Sequence, residues 1–315
     1  METKRHFLQV MGFLVLGFLI LALLSAMVNP GEVPVYNVVK VTKKLEALGG
    51  EKPGTLEVLF AGNSLACNGF SPLMLYEDYG FTSYVIAEES QRLCDNVAVL
   101  EEAIKHQDIK VCVLEADTVF SDASPYRVNY ALPTNALEKL FPIFHYHIFY
   151  KGVLENHKGE EERLNKGFLP VKDAVPLKEG LDPMGDGAGP VSLEYDSVQF
   201  MAKLSKICRE HGVDLVIAAL PCPEYWNRDK HETAKAWAEE NGAYFLDMNE
   251  ISEEMGINWE EDLSDGGSHL NVSGAGKATD AIGRFLSDRF ALTDHRGDPV
   301  GESFLKSAGR EGDGS

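Results

Sequence analysis

Short apolar runs alternating with stretches of helical periodicity constrain this chain more than any other feature. Leu56–Phe60, Ser83–Ala87, Ile109–Leu114, Asp214–Leu220 and Ala243–Asp247 are each five to seven residues long. Each is bounded by turn residues and apolar enough for burial on both faces, which is how central strands of a parallel sheet read. Between them lie helical patterns. Val39–Leu48 ends at Gly49-Gly50, Pro72–Tyr79 at Gly80, and Val97–Lys105 follows the second run. Val198, Met201, Leu204, Ile207 and Cys208 fall on one helical face, with Asp196 or Ser197 as cap and Gly212 as stop. Lys230–Glu240 closes at Gly242, and Ala275, Ala278, Ile282, Phe285 and Leu286 mark a last amphipathic helix. Parallel neighbours need crossover helices, so this alternation predicts an α/β protein, a three-layer α/β/α sandwich with a five-stranded, mainly parallel, flavodoxin-like sheet.

The first 29 residues follow a different rule. Phe7 to Val28 is almost wholly apolar, preceded by Lys4, Arg5 and His6 and ended by Asn29-Pro30-Gly31. About 20 such residues cross a bilayer as a helix. The basic flank predicts a cytoplasmic N-terminus and an extracytoplasmic remainder. A cleaved signal peptide, with Leu24-Ser25-Ala26 as the cleavage site, is the competing reading; the run is longer than most such segments, so a single-pass anchor is preferred. The chain then divides into an anchor over 1–29, a juxtamembrane segment over 30–54, an α/β domain over 55–292 and a polar, frayed tail over 293–315. Residues 118–195 form a long insertion expected to be irregular, with an aromatic segment around His145 and His147. Those two histidines, at i and i+2, are expected to pack among aromatics and not to hold a metal. The net charge of −20 over 315 residues excludes a phosphate-reading surface, so no nucleic-acid partner is expected.

Two segments carry the chemistry. Leu59-Phe60-Ala61-Gly62-Asn63-Ser64 is a strand that breaks into a turn, and Gly62 permits the sharp bend that would raise the Ser64 hydroxyl above the sheet. Asn63-Ser64 also suits plain helix capping. About two hundred residues on, Asp265-Gly266-Gly267-Ser268-His269 precedes the last helix. Neutral histidine is the side chain suited to take a hydroxyl proton near pH 7, and Asp265 is placed to orient its other ring nitrogen. Ser64 as nucleophile, His269 as base and Asp265 as its partner is therefore the expected catalytic set. Ligands in such folds lie beyond the carboxyl ends of the strands, where Ser64 would sit. The five cysteines, Cys67, Cys94, Cys112, Cys208 and Cys222, show no metal spacing, and neither a metal nor a cofactor is expected. A Cys67–Cys94 disulfide near the site is left open. Asn271-Val272-Ser273 matches a glycosylation sequon but fits better as an ordered turn.

The residues Gly62-Asn63-Ser64 with Asn68-Gly69-Phe70-Ser71-Pro72, and Asp265 to His269 with Leu270-Asn271 and Gly274-Ala275, resemble the SGNH/GDSL hydrolase superfamily. The resemblance is to its membrane-anchored, extracytoplasmic branch, which includes alginate O-acetyltransferase-like proteins and the D-alanyl transfer protein of teichoic acid synthesis. It spans roughly 55–292 in the order of elements, with sharp motifs only at the two ends. It implies an SGNH-like fold and a serine-dependent esterase or O-acyltransferase. The partners it implies are an acyl-bearing carbohydrate or envelope polymer, the membrane, and envelope-biosynthesis proteins. The family's aspartate commonly sits three residues before the histidine; here Asp265 is four before, with Asp262 as the alternative. The family's oxyanion glycine is missing from Glu88-Glu89-Ser90-Gln91, and Asp117 stands where an asparagine is usual. The oxyanion site is therefore expected to use the backbone of Ser64 and the Ser90 loop, with Gly62, Asn63 and Asp117 lining it. The same two departures make a catalytically weak accessory protein that binds polysaccharide or envelope-synthesis machinery the second reading.

Overall fold

The structure is a computed structural model that describes residues 2–28, 38–121, 137, 140, 141, 143–146 and 165–307. Five strands, β1 (Val58–Ala61), β2 (Ser83–Val85), β3 (Val111–Glu115), β4 (Asp214–Ala219) and β5 (Tyr244–Asp247), form one sheet in the order β2-β1-β3-β4-β5. Every pairing is parallel, with Phe60 opposite Val85 on one side and Val113 on the other. The β1 side chains are completely buried, as a strand covered on both faces requires. This is the flavodoxin-like α/β fold, and the strand order reverses between β1 and β3, where such sheets open a ligand crevice at their carboxyl edge.

Helices cover both faces. α1 (Glu2–Val28) is the apolar N-terminal helix and α2 (Val38–Leu48) follows it. α3 (Ser64–Gly69) and α4 (Pro72–Tyr79) form the β1-to-β2 crossover, and α5 (Leu93–Ala103) leads from β2 to β3. A 3₁₀ turn, Ala116–Phe120, leaves β3, and α6 (Ile143–Tyr146) lies in the insertion. α7 (Tyr195–His211), α8 (Arg228–Asn241), α9 (Val272–Arg289) and α10 (Glu302–Ser307) complete the chain. α9 packs on α3 and α4, whereas α5 packs on α2 and α7, giving helical layers on opposite faces as right-handed crossovers require.

Several element ends differ from the sequence expectation, each for a local reason. β1 starts at Val58, not Leu56, because the Thr55 and Leu56 N–H groups donate to the Gln107 side chain at 3.0 and 3.1 Å. α5 starts at Leu93, four residues before Val97, where the Asp95 carboxylate takes the Arg92 N–H at 3.3 Å. The cap of α7 is Glu194; Ser197 instead buries its hydroxyl, which donates to the Ser121 carbonyl at 3.3 Å. The tail is not frayed through its described part. Thr293 donates to Glu57, His295 N–H to the Gly80 carbonyl at 2.9 Å, and buried Phe304 stacks on Tyr76.

The described part of the insertion contains more order than expected. Residues 169–177 run as a strap from α3 to the loop after β5. Leu169 N–H donates to the Cys67 carbonyl at 2.8 Å, and Val175 and Leu177 N–H donate to the Leu263 and Trp259 carbonyls, each at 2.9 Å. Lys166 is buried with Glu51 (Nζ–Oε1 2.8 Å) and packs over the Phe304 ring, tying the strap's root to the juxtamembrane segment and the tail. The His147 position and the His145 side chain lie outside what is described.

Candidate active site

Ser64 is the first residue of α3, directly beyond the carboxyl end of β1. Gly62 makes this possible. Its φ is 153°, and a Cβ there would stand 2.7 Å from both the Ala66 and Glu115 Cβ atoms. A side chain at this position would push β1 away from β3, so the bend requires glycine. Asn96 holds the bend from the far side. Its Oδ1 accepts the Gly62 N–H at 2.8 Å, while its Nδ2 donates to the Gly62 carbonyl at 3.0 Å. Gln91 donates to the same Asn96 oxygen at 2.8 Å. Asn63 caps α3 through its side-chain oxygen, which accepts the Leu65 N–H at 2.9 Å.

Capping here falls to Asn63 alone. Asn63 caps, and the Ser64 hydroxyl points elsewhere: Ser64 Oγ lies 2.8 Å from His269 Nε2. His269 Nδ1 lies 2.6 Å from Asp265 Oδ2. The other Asp265 oxygen accepts the N–H groups of Gly267, Ser268 and His269 at 3.3, 2.9 and 3.0 Å, folding the loop back on itself. That closure is why a four-residue spacing works here, since Gly266 and Gly267 adopt φ values of 83° and 159° that let the chain curl around the carboxylate. Burial opposes ionisation of Asp265, but the hydrogen bonds from the His269 ring and from the His269 and Ser268 backbone outweigh it and hold the carboxyl at about 2. Asp262, the alternative partner, is committed to Lys277 at 2.6 Å and to the Asn258 N–H at 2.7 Å.

A second set of contacts holds this loop in place. Glu224, in the turn after β4, accepts from the Ser268 hydroxyl at 2.7 Å and from Lys178 at 2.8 Å, and its own N–H donates to the Gly267 carbonyl at 3.0 Å. The bonds from Lys178 and Ser268 lower the Glu224 pKa. Asn271 caps α9 and donates to the Glu261 carbonyl at 2.6 Å, so the sequon asparagine is buried inside the turn.

The oxyanion residues fall out differently. Asp117 is buried 2.6 Å from Lys230 Nζ, so its carboxylate is committed to an ion pair and offers no donor to the site. Ser90 sits in an exposed turn with φ 55°, and among the described residues no hydrogen bond joins it to Ser64 or His269. The donors beside the serine are the Ser64 N–H and the Asn63 Nδ2, neither of which has an acceptor among the described residues. Glu115, at the end of β3 next to Gly62, is fully buried. Desolvation, reinforced by the charge of Asp117, pushes its carboxyl up to about 8. It accepts from the Asp117 and Thr118 N–H groups and the Thr118 hydroxyl at 2.9 to 3.1 Å. All five cysteines are buried thiols, so Cys67 and Cys94 form no disulfide. No cluster of metal-ligating side chains occurs among the described residues.

Of these residues, Asn96, Glu224, Ser268 and Glu115 were not singled out in the sequence. Asn96 left one trace: a polar pair, Asp95-Asn96, interrupts an otherwise apolar helix start. Glu224 left none, because its role depends on a loop brought near it only by folding.

A serine, a histidine and an aspartate in one hydrogen-bonded line at the carboxyl edge of a parallel five-stranded sheet define the class: a flavodoxin-like α/β protein that carries a Ser-His-Asp line at its ligand edge. Comparison with known proteins adds little to that geometry. No protein-family model matches the chain, and no curated protein matches it. The solved structure of protein YxiM from Bacillus subtilis is similar over 81% of this chain at 15% identity, with a TM-score of 0.37. The match covers only 57% of that protein's length, and at this level of likeness the chemistry rests on the site alone.

Proposed function

We propose that this chain is a membrane-anchored, extracytoplasmic serine esterase or O-acyltransferase whose substrate is an acylated cell-envelope glycan or glycopolymer. The observation that carries the chemistry is the unbroken line Ser64 Oγ–His269 Nε2 (2.8 Å) and His269 Nδ1–Asp265 Oδ2 (2.6 Å). Ser64 Oγ attacks the acyl carbonyl carbon while its proton passes to His269 Nε2. The Ser64 N–H faces the resulting oxyanion, with Asn63 Nδ2 as the second donor. Collapse breaks the original ester bond, and the leaving alcohol takes the proton from His269. The acyl group then rests on Ser64. Water or a sugar hydroxyl next gives its proton to His269 and attacks the acyl-serine, and Ser64 leaves and is reprotonated. Water as acceptor gives hydrolysis; a sugar hydroxyl gives transfer.

Three things support the envelope assignment: the resemblance to the anchored SGNH branch, the basic flank of α1, and a helix over Lys4–Ala26 with mean hydropathy 2.6, long and apolar enough to cross a membrane. A fluorophosphonate probe should label the wild type and not Ser64→Ala; absence of labelling in folded wild type would reject the nucleophile. The commitment of Asp117 to Lys230 favours a second reading, a non-catalytic accessory protein that binds polysaccharide or envelope-synthesis machinery. That reading requires Ser64→Ala and His269→Ala to leave the cellular phenotype unchanged.

A further inference from the structure

α1 does not stand alone. Its residues Gly17, Leu21, Ala22 and Ser25 are partly or fully covered, and their three- and four-residue spacings place them on one helix face. α6 and the residues before it pack there. The Phe18 and Phe141 rings meet edge-on with centroids 5.2 Å apart, Phe141 is buried, and Phe144 meets Phe141 at 6.2 Å. The Ile143 N–H donates to the buried Ser25 hydroxyl at 3.3 Å. Around this contact Leu137, Leu140 and Phe144 are 55%, 60% and 44% exposed.

Depth along α1 says what must cover those side chains. The candidate span ends at Ala26, and Phe18 precedes it by eight residues. At about 1.5 Å per residue, Phe18 lies about 12 Å inside that end, well within a hydrocarbon core about 30 Å thick. The Phe141 ring touches Phe18 and shares its depth, while Ile143, bonded to Ser25, lies near the end of the span, so the element enters the leaflet from that side.

We propose that the described residues Leu137, Leu140, Phe141 and Ile143–Tyr146 belong to a second membrane-embedded element, set in the lipid leaflet on the side where α1 ends. Lipid acyl chains are the occupant of its exposed apolar face. This rests on the anchor part of the proposed function and not on the serine chemistry. Three of its backbone N–H groups are paired without water: Phe141 N–H bonds the Leu137 carbonyl at 2.8 Å, Phe144 N–H the Phe141 carbonyl at 3.1 Å, and Ile143 N–H the Ser25 hydroxyl. A two-point attachment would restrict rotation of the domain relative to the bilayer, and so favour substrates displayed close to the membrane.

The test uses the full chain in phosphatidylcholine vesicles. Since the five native cysteines are buried, a thiol-reactive fluorophore can be placed at single new cysteines: Phe144→Cys, Leu140→Cys, Phe13→Cys and Tyr195→Cys. Nitroxide attached to lipid acyl chains reports contact with hydrocarbon. Probes at 140 or 144 should be quenched at least threefold more than the probe at 195, and comparably to that at 13. Quenching at 13 but not at 140 and 144 overturns the proposal while leaving the anchor standing. No quenching at 13 overturns both, whereas the fluorophosphonate result at Ser64 is independent of either.

Discussion

Replacing Asp265 with asparagine separates orientation of the base from stability of the loop. In Asp265→Asn the new side chain can keep its carbonyl oxygen on the Gly267, Ser268 and His269 N–H groups, as Asp265 Oδ1 does now. Its amide NH2 must then face His269 Nδ1, which today lies 2.6 Å from a carboxylate oxygen. A donor there forces the ring to present a lone pair at Nδ1 and a proton at Nε2, so Nε2 cannot accept the Ser64 proton. The cost to stability is small. Asp265 falls from 3.8 to about 2, which corresponds to about 2 kcal/mol at 1.36 kcal/mol per unit. The carboxylate is 39% exposed, so screening reduces this to about 1 kcal/mol. The folded value is depressed, so this contribution is present above pH 3.8 and is lost as pH falls toward 2. At neutral pH the variant should melt about 2 °C lower. Loss of the correct tautomer should slow catalysis by about 10³–10⁴-fold, equivalent to about 4–5.5 kcal/mol. The assay is the second-order rate of fluorophosphonate labelling at pH 7, read beside urea unfolding. Labelling within tenfold of wild type in a folded variant would refute the orienting role. An unfolding loss as large as the labelling loss would show that Asp265 only builds the loop.

Other consequences of the structure are open to similar checks. Glu224→Ala should slow labelling of Ser64 by about ten- to a hundredfold through displacement of the His269 loop, and Glu224→Gln, which still accepts from Ser268, should recover most of it; equal loss in both would exclude positioning by this hydrogen bond. Burial, reinforced by the charge of Asp117, raises the folded Glu115 carboxyl above its ordinary 4.5, to about 8. Its contribution to stability should therefore decline as pH rises from 4.5 to 8, by at most about 1.4 kcal/mol per unit, and Glu115→Gln should flatten the measured slope. Breaking the buried Lys166–Glu51 pair with Lys166→Met should cost about 3–5 kcal/mol, and adding Glu51→Gln should return part of it; additive losses would mean the two charges do not depend on each other.

The sheet was legible because burial on both faces leaves its mark on single residues. β1 and the interiors of β3 and β4, between Val111 and Leu114 and between Leu215 and Ala219, are wholly apolar, and the glycines at 80, 212 and 242 end their helices in the left-handed conformation. Strand ends were less legible. Whether Leu56 belongs to β1 depends on Gln107, fifty-one residues away, taking its N–H. The order of the tail was hidden for the same reason, since Phe304 looks like an isolated aromatic in a polar stretch until Tyr76 and Lys166 are folded around it.

Ser64, Asp265 and His269 could be singled out from their local settings because each sits in a turn whose composition is unusual: a glycine bend after a strand, and a glycine-rich loop before a helix. Local pattern thus yields a set of residue types with local geometry attached, and folding settles which of them meet. Packing selects Asp265 over Asp262, because the curled loop brings one carboxylate to the ring while Lys277 takes the other. It withdraws Asp117 by pairing it with Lys230, and it sets Asn96 and Glu224 as the supports of the turn before Ser64 and of the His269 loop. Apart from the Asp265–His269 bond itself, those outcomes depend on contacts across 15 to 113 residues of chain, and long-range proximity follows from how the layers pack, which no local pattern encodes.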